Sequence, residues 1–174
     1  MPLLVRKIDK AKWLQNDITG SEDVSADAIT ICLKTSDNKL SVWKVSTETD
    51  IEEAILAIVS GGDHLEAIDI ITIDCQRMAS DGIGFTQNPE KSVTRVQDLK
   101  DAHYDITDLS YGKLGVISQY IVDCFKKGQI INSCKEGQVI RCTEIYLKGI
   151  MREAIEDGRL KKEDLPDSIQ KKLP

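Results

Sequence analysis

Hydrophobic and polar positions change their period along this chain, strand-like and helix-like stretches alternating early and helical ones dominating late. Leu3 to Ile8 reads as a strand, and Asp9 stands where it can cap a short helical turn through Trp13 and Leu14. Leu40-Ser-Val-Trp-Lys-Val45 is a second strand. Ile68-Asp-Ile-Ile-Thr-Ile73 is a third, β-branched enough to be buried on both faces. Between them Ile51, Ala54, Ile55, Ile58 and Val59 fall on one side of a helix from Asp50 to Ser60. Asp50 and Glu53 resemble an acid-led capping box at its start, and Gly61-Gly62 is expected to end it in the left-handed conformation. Strand, helix and strand in that order predict a right-handed βαβ unit with parallel strands.

The stretch from Ala28 to Lys34 carries two patterns at once. Ile29, Ile31 and Leu33 alternate as in a strand, and Thr35 to Asn38 would then turn a hairpin into Leu40. Ser25-Ala26-Asp27-Ala28 also reads as a helix start, with Ile29, Cys32 and Leu33 on one face, and the Ala and Asp of that first turn favour a short helix. Gln76 to Ser80 suits one helical turn, Gly82 to Phe85 an edge strand, and Asn88 to Ser92 a loop. Beyond it, Asp105 or Thr107 opens a helix to about Lys127, with Leu114, Ile117, Ile121, Cys124 and Phe125 on one face and Gly128 at its end. Gln129 to Cys142 reads as a small hairpin around Lys135-Glu136-Gly137. Thr143 to Asp157 is another helix, closed by Gly158 with Leu160 sealing the cap, and Pro166 opens a last short helix holding Ile169 and Leu173. The fold class expected is a single small α/β domain with a mainly parallel or mixed sheet and flanking helices. Its βα-rich acidic core spans 1–104, and a helical C-terminal part, 105–174, packs on it.

Composition narrows the class further. The 174 residues are 41% hydrophobic and 30% charged, values of an ordinary globular chain rather than a disordered or collagen-like one. Apolar runs are far shorter than the roughly 20 residues that cross a bilayer, and the first residues lack the charged start of a signal peptide. Five cysteines, Cys32, Cys75, Cys124, Cys134 and Cys142, show no C-x-x-C spacing, so reduced thiols and a cytoplasmic location are expected. The formal charge of −6 argues against nucleic acid, and Arg159 to Lys172 holds only five bases against three acids. That charge is unevenly spread. From Asp17 to Asp74 thirteen acids face three bases, Lys34, Lys39 and Lys44, a balance of −10, while 20 bases against 16 acids leave the rest at +4.

Motifs that carry chemistry are sparse in the chain. Gly82-Ile83-Gly84 lacks the third glycine of a dinucleotide loop, and neither G-x-x-x-x-G-K-[ST] nor G-x-S-x-G occurs. Asp74 closes the third strand, where ligands collect in open parallel sheets, but Asp69 falls on the opposite face and cannot join it. A turn cap is the simpler role for Asp74. His64 and His103 both lie in polar connections, and a surface histidine is the simpler reading of each. No metal ligand set and no cofactor is expected. The leading expectation is a non-enzymatic protein-interaction module, such as an accessory subunit, immunity protein or antitoxin-like inhibitor. Glu48, Glu52, Glu53 and Asp63, with Trp43 as anchor, would meet a partner bearing a basic surface. The alternative is an enzyme acting on a phosphorylated or nucleotide ligand near Asp74, with His103 or Arg77 assisting. The late helices also offer a face for a second copy of the chain.

Overall fold

Leu3, Leu4 and Val5 are consecutive and all fully buried, an arrangement that requires a strand covered on both faces. A computed structural model of the chain describes residues 1–14, 18–135 and 137–173, so Asp17 and Glu136, used above, lie outside the described residues. In chain order the elements are β1 (Leu3–Ile8), α1 (Lys10–Trp13), α2 (Ala26–Cys32), β2 (Leu40–Val45), α3 (Ile51–Ser60), β3 (Ile68–Asp74), α4 (Cys75–Ser80) and β4 (Phe85–Gln87). They continue with β5 (His103–Ile106), α5 (Tyr111–Lys127), β6 (Gln129–Ile131), β7 (Val139–Cys142), α6 (Glu144–Glu156) and α7 (Asp167–Gln170). The seven strands form one mixed sheet in the order β4-β5-β2-β1-β3-β7-β6. On one face Leu3, Val5, Trp43 and Ile70 pack under α3, α6 and the C-terminal turns. On the other, Leu4, Ile8, Val42 and Ile71 pack under α2, α4 and α5.

The chain is a single small α/β domain, and its sheet is mostly antiparallel. β2 and β3 do run in the same direction, but they do not pair. β1 lies between them, antiparallel to both, with Val5 opposite Trp43 on one side and Thr72 on the other. The helical reading of 25–34 holds: Ser25 caps α2 by accepting from the Ala28 N–H. Asp37 and Asn38, both with positive φ, turn the chain into β2.

Four local expectations are corrected. Asp50 does not pair with Glu53. It reaches back to Thr47, accepting from its N–H at 3.0 Å and its hydroxyl at 2.9 Å, while Glu53 is held by Arg159. Gly61 ends α3 with φ −81°, not left-handed; a Cβ there would lie 2.8 Å from Val93 Cγ2 and 2.9 Å from its carbonyl oxygen, so close approach is what requires glycine. The helix expected from Asp105 or Thr107 starts at Tyr111 with Ser110 as cap, because 103–106 is taken into the sheet as β5. β5 lies across the 104/105 boundary. Finally, 129–142 is not a hairpin, since β6 and β7 are parallel neighbours. The strands are so short that the turn at Gly137 (φ +75°), whose N–H is held by Thr72 Oγ1 at 2.9 Å, can return the chain to the start of the next one.

Two alanine substitutions separate these roles of glycine. Gly61→Ala is expected to cost about 1–3 kcal/mol by forcing Cβ into the Val93 backbone. Gly115→Ala, within α5 and with nothing within 4 Å of the added carbon, should stabilise by about 0.5–1 kcal/mol. Urea unfolding monitored by circular dichroism measures both.

Candidate functional site

Asp74 ends β3 and caps α4, its Oδ1 accepting from the Gln76 N–H at 2.7 Å. It lines a cavity of about 150 Å³ together with Arg77, Tyr120, Asp123 and Lys127. Arg77 lies over the Tyr120 ring, 4.3 Å from its centre, and donates to Asp123 Oδ2 at 2.6 Å. Gln119 donates to the other Asp123 oxygen at 2.9 Å, and the Tyr120 hydroxyl donates to Asp81. Burial works against ionisation of Asp123, but the bonds from Arg77 and Gln119 outweigh it and hold the carboxyl below its usual value. Burial and the bond to Asp81 push the Tyr120 phenol up. The cluster is a chain of mutually satisfied polar groups. Among the described residues no group of three or more His, Cys, Asp or Glu is placed to hold a metal ion.

His103 is not with Asp74. It sits on β5, opposite Trp43, three strands from Thr72 and so about 14 Å away at the usual strand spacing. Nor is it a surface residue: it is 3% exposed, edge-on to the Trp43 ring at 5.3 Å, with Nδ1 at 2.7 Å from the Asn88 carbonyl oxygen. Asn88 Nδ2 also donates to the buried Asp105, which accepts from Ser41 as well. Polar letters at 103 and 105 signal a connection in the sequence. Each finds its partner only when Asn88 and β2 arrive, and the segment then belongs in a core. His64 is exposed, as expected.

The five candidate docking residues do not share one surface. Trp43 is buried beneath α3. Glu53 forms a two-pronged pair with Arg159, at 2.6 and 3.1 Å, and Arg159 also holds Asp98 at 2.8 Å. Asp63 lies past the far end of α3, about 15 Å from its start. Glu48 and Glu52 do come together, around Tyr146 and Cys134, where α3 and α6 begin. The Tyr146 hydroxyl donates to Glu52 at 2.5 Å and lies 4.0 Å from Cys134 Sγ. Burial raises the Cys134 thiol; the bond to Tyr146 opposes this, and Glu52 and Glu48 add to it. Beside this corner, Asn132 and the α6 cap Thr143 exchange bonds of 2.9 and 2.8 Å. Flanking that tie are two exposed side chains, Ile131 at 64% and Ile145 at 83%. Sequence reasoning passed over Ile145 because one isoleucine off a helical stripe carries no signal until the stripe's partner is known.

The charge imbalance of the sequence is partly closed inside the fold. Asp69 is 5% exposed and meets Arg141 at 2.6 Å, so two acids of the −10 segment, Asp69 and Glu53, are held by arginines of the other part. No described helix is long and apolar enough to cross a membrane. Compared with known proteins, the chain matches no family model, no curated protein and no solved structure.

Two measurements test this geometry. Cys134 is half-buried whereas the other four thiols are buried, and burial pushes Cys124 up to about 11 and Cys142 up to about 12. A disulfide reagent at pH 8 should therefore label Cys134 first, more slowly than a free thiol, and reach Cys124 and Cys142 only on unfolding. Asp123 has a depressed carboxyl, so its stabilisation is complete above the unfolded value near about pH 4 and is lost as pH falls through the folded value. Asp123→Asn should flatten the acid limb of a stability–pH curve while leaving it unchanged in shape above pH of about 5.

Proposed function

We propose that this protein is a non-enzymatic interaction module, of the accessory-subunit or inhibitor kind, whose partner presents a basic surface to the corner where α3 and α6 begin. The observation that carries this reading is the exposure of Ile131 and Ile145 beside Glu48 and Glu52. Exposed apolar side chains beside charged ones have the composition of a docking patch: the isoleucines gain by leaving water, and the glutamates draw an oppositely charged face, while the nearby cations Arg141, opposite Ile131 in the ladder, and Lys148, one turn along α6 from Ile145, are held by Asp69 and Glu144. Asp63, exposed at the other end of α3, contributes to the long-range field rather than to the contact. The alternative reading, an enzyme at Asp74, draws on the cavity shared with Arg77 and Lys127. At about 150 Å³ that cavity is smaller than the roughly 300 Å³ at which small-molecule sites begin, and the interaction reading is preferred for that reason.

The test compares the immobilised wild-type chain with Ile145→Asp and with a double Glu48→Lys, Glu52→Lys variant in extracts of the native cell. A partner should be retained at low salt and released as ionic strength rises through about 0.15–0.5 M, where screening shortens the reach of surface charge. Both variants should lose it while keeping the wild-type circular dichroism spectrum. Retention indifferent to salt and to both variants would overturn the proposal. Light scattering of the purified chain shows whether the partner is a second copy.

A further inference from the structure

The ladder between β1 and β2 stops at Val5–Trp43, although β1 continues against β3 as far as Ile8–Asp69 and β2 against β5 as far as Leu40–Ile106. The two central strands therefore splay, and the side chain of Arg6 enters the fork. Its Nε and one terminal nitrogen donate to the Cys32 carbonyl at the end of α2, at 2.8 and 2.5 Å, and the other terminal nitrogen donates to the Ser41 carbonyl that the broken ladder leaves over. A guanidinium carries five N–H groups, so one remains on each terminal nitrogen. Arg77, Arg141 and Arg159 each meet a carboxylate, whereas Arg6, like Arg95 with its bonds to the Ser60 and Gly62 carbonyls, has none within ion-pair distance among the described residues. Burial lowers its value to about 10, with Cys32 opposing the shift. A half-buried guanidinium held by neutral carbonyls lacks a counter-charge, and an anion reaching its two spare N–H groups would supply one.

Arg6 also lines a cavity of about 350 Å³ at the mouth of the fork. Lys7 adds a second cation, and the acid at the rim, Asp9, is engaged in capping α1 through the Ala11 N–H. The remaining walls are largely apolar and come from separate elements: Ile31 of α2, Trp43 of β2, Ile58 of α3, and Val93 from the loop before β5. Ile31 and Val93 are 51% and 68% exposed, so the mouth presents apolar surface to water.

We propose that the fork between β1 and β2 binds a small organic carboxylate with an apolar body. The two spare N–H groups of Arg6 take the carboxylate oxygens side by side, Lys7 supplies field, and Ile31, Trp43, Ile58 and Val93 enclose the body. A bare inorganic anion would satisfy the guanidinium but leave the walls wet, and a neutral aromatic would do the reverse. The site is separate from the corner assigned to the protein partner, so either proposal can fail without the other.

The experiment is a titration of the full-length ¹⁵N-labelled chain with phenylacetate, benzyl alcohol, acetate and inorganic phosphate, each to about 10 mM, a range that resolves millimolar affinity. Phenylacetate should produce saturable shifts at the Trp43 indole and at the amides of Ile31, Ser41 and Val93. Each of the other three probes should bind at least about tenfold more weakly, the equivalent of one lost charged or apolar contact. Ile31→Glu and Val93→Glu, both at exposed positions, should abolish those shifts without altering the rest of the spectrum. Arg6→Lys should weaken binding even where it folds, since an ammonium cannot offer two parallel donors. The proposal is overturned if phenylacetate gives no saturable shift at these residues, if phosphate binds as tightly, or if both glutamate variants bind as the wild type does.

Discussion

β1 is packed from both sides, and the two cores of the protein meet at it. Leu3 and Val5 enter the core beneath α3 and α6; Leu4 and Ile8 enter the one beneath α2 and α5. Each such side chain withdraws enough apolar surface to contribute about 1.5–3 kcal/mol, and each is placed by the same few peptide bonds. β1 is also the strand that β2 and β3 both pair with, so the strand–helix–strand unit around α3 closes through it. Displacing β1 by one residue would exchange its two faces and set the larger and smaller side chains of both cores against the wrong partners.

The same strand explains why the central opening of the sheet is polar. After Val5 the chain places a charged residue where an apolar one would have continued the core. Arg6 answers the unpaired carbonyl of Ser41 and the end of α2 together, turning a gap in the ladder into a lined cavity. Elsewhere the polar residues inside the fold are satisfied in pairs or triples: Asn88 with His103 and Asp105, Ser60 with Thr94, Asp69 with Arg141. Those groups are structural ties between elements distant in sequence. Arg6 and Arg95 are held instead by backbone carbonyls, and of the two Arg6 is the one that lines the cavity at the fork.

Charge behaves in the fold differently from charge along the chain. The acidic stretch and the more basic remainder attract each other in the folded molecule, with Arg159 clamping Glu53 and Arg141 meeting Asp69. The exposed charge of the fold is therefore not the summed excess along the chain, since Asp69 and Glu53 are held by arginines and Glu52 accepts from Tyr146. Asp74, the residue that stood out at the end of an apolar strand, caps the helix that follows, a local role that the Asp-Cys-Gln order already suggested.

Periodicity within a few residues is a local property, and what depends on it was legible in the amino-acid order: β1, β2, β3, the span of α3, and α6 with its Gly158–Leu160 close, whereas 25–34 fitted a strand and a helix alike until Ser25 was seen to cap α2. The candidate corner was legible only as charge, in Glu48 and Glu52, because the exposure of Ile145 depends on which face of α6 meets α3. Neighbour relations were settled by tertiary structure: β1 between two parallel strands, β5 and its histidine drawn into the sheet, and β6 beside β7 without a hairpin. The physical reason is that strand order and burial are fixed by hydrogen bonds and packing between residues tens of positions apart. A segment as short as His103–Ile106 or Gln129–Ile131 has too few residues to reveal its period. The fork at Arg6 is of this second kind, for an arginine within a strand comes to line a cavity only when β2, α2 and α3 close around it.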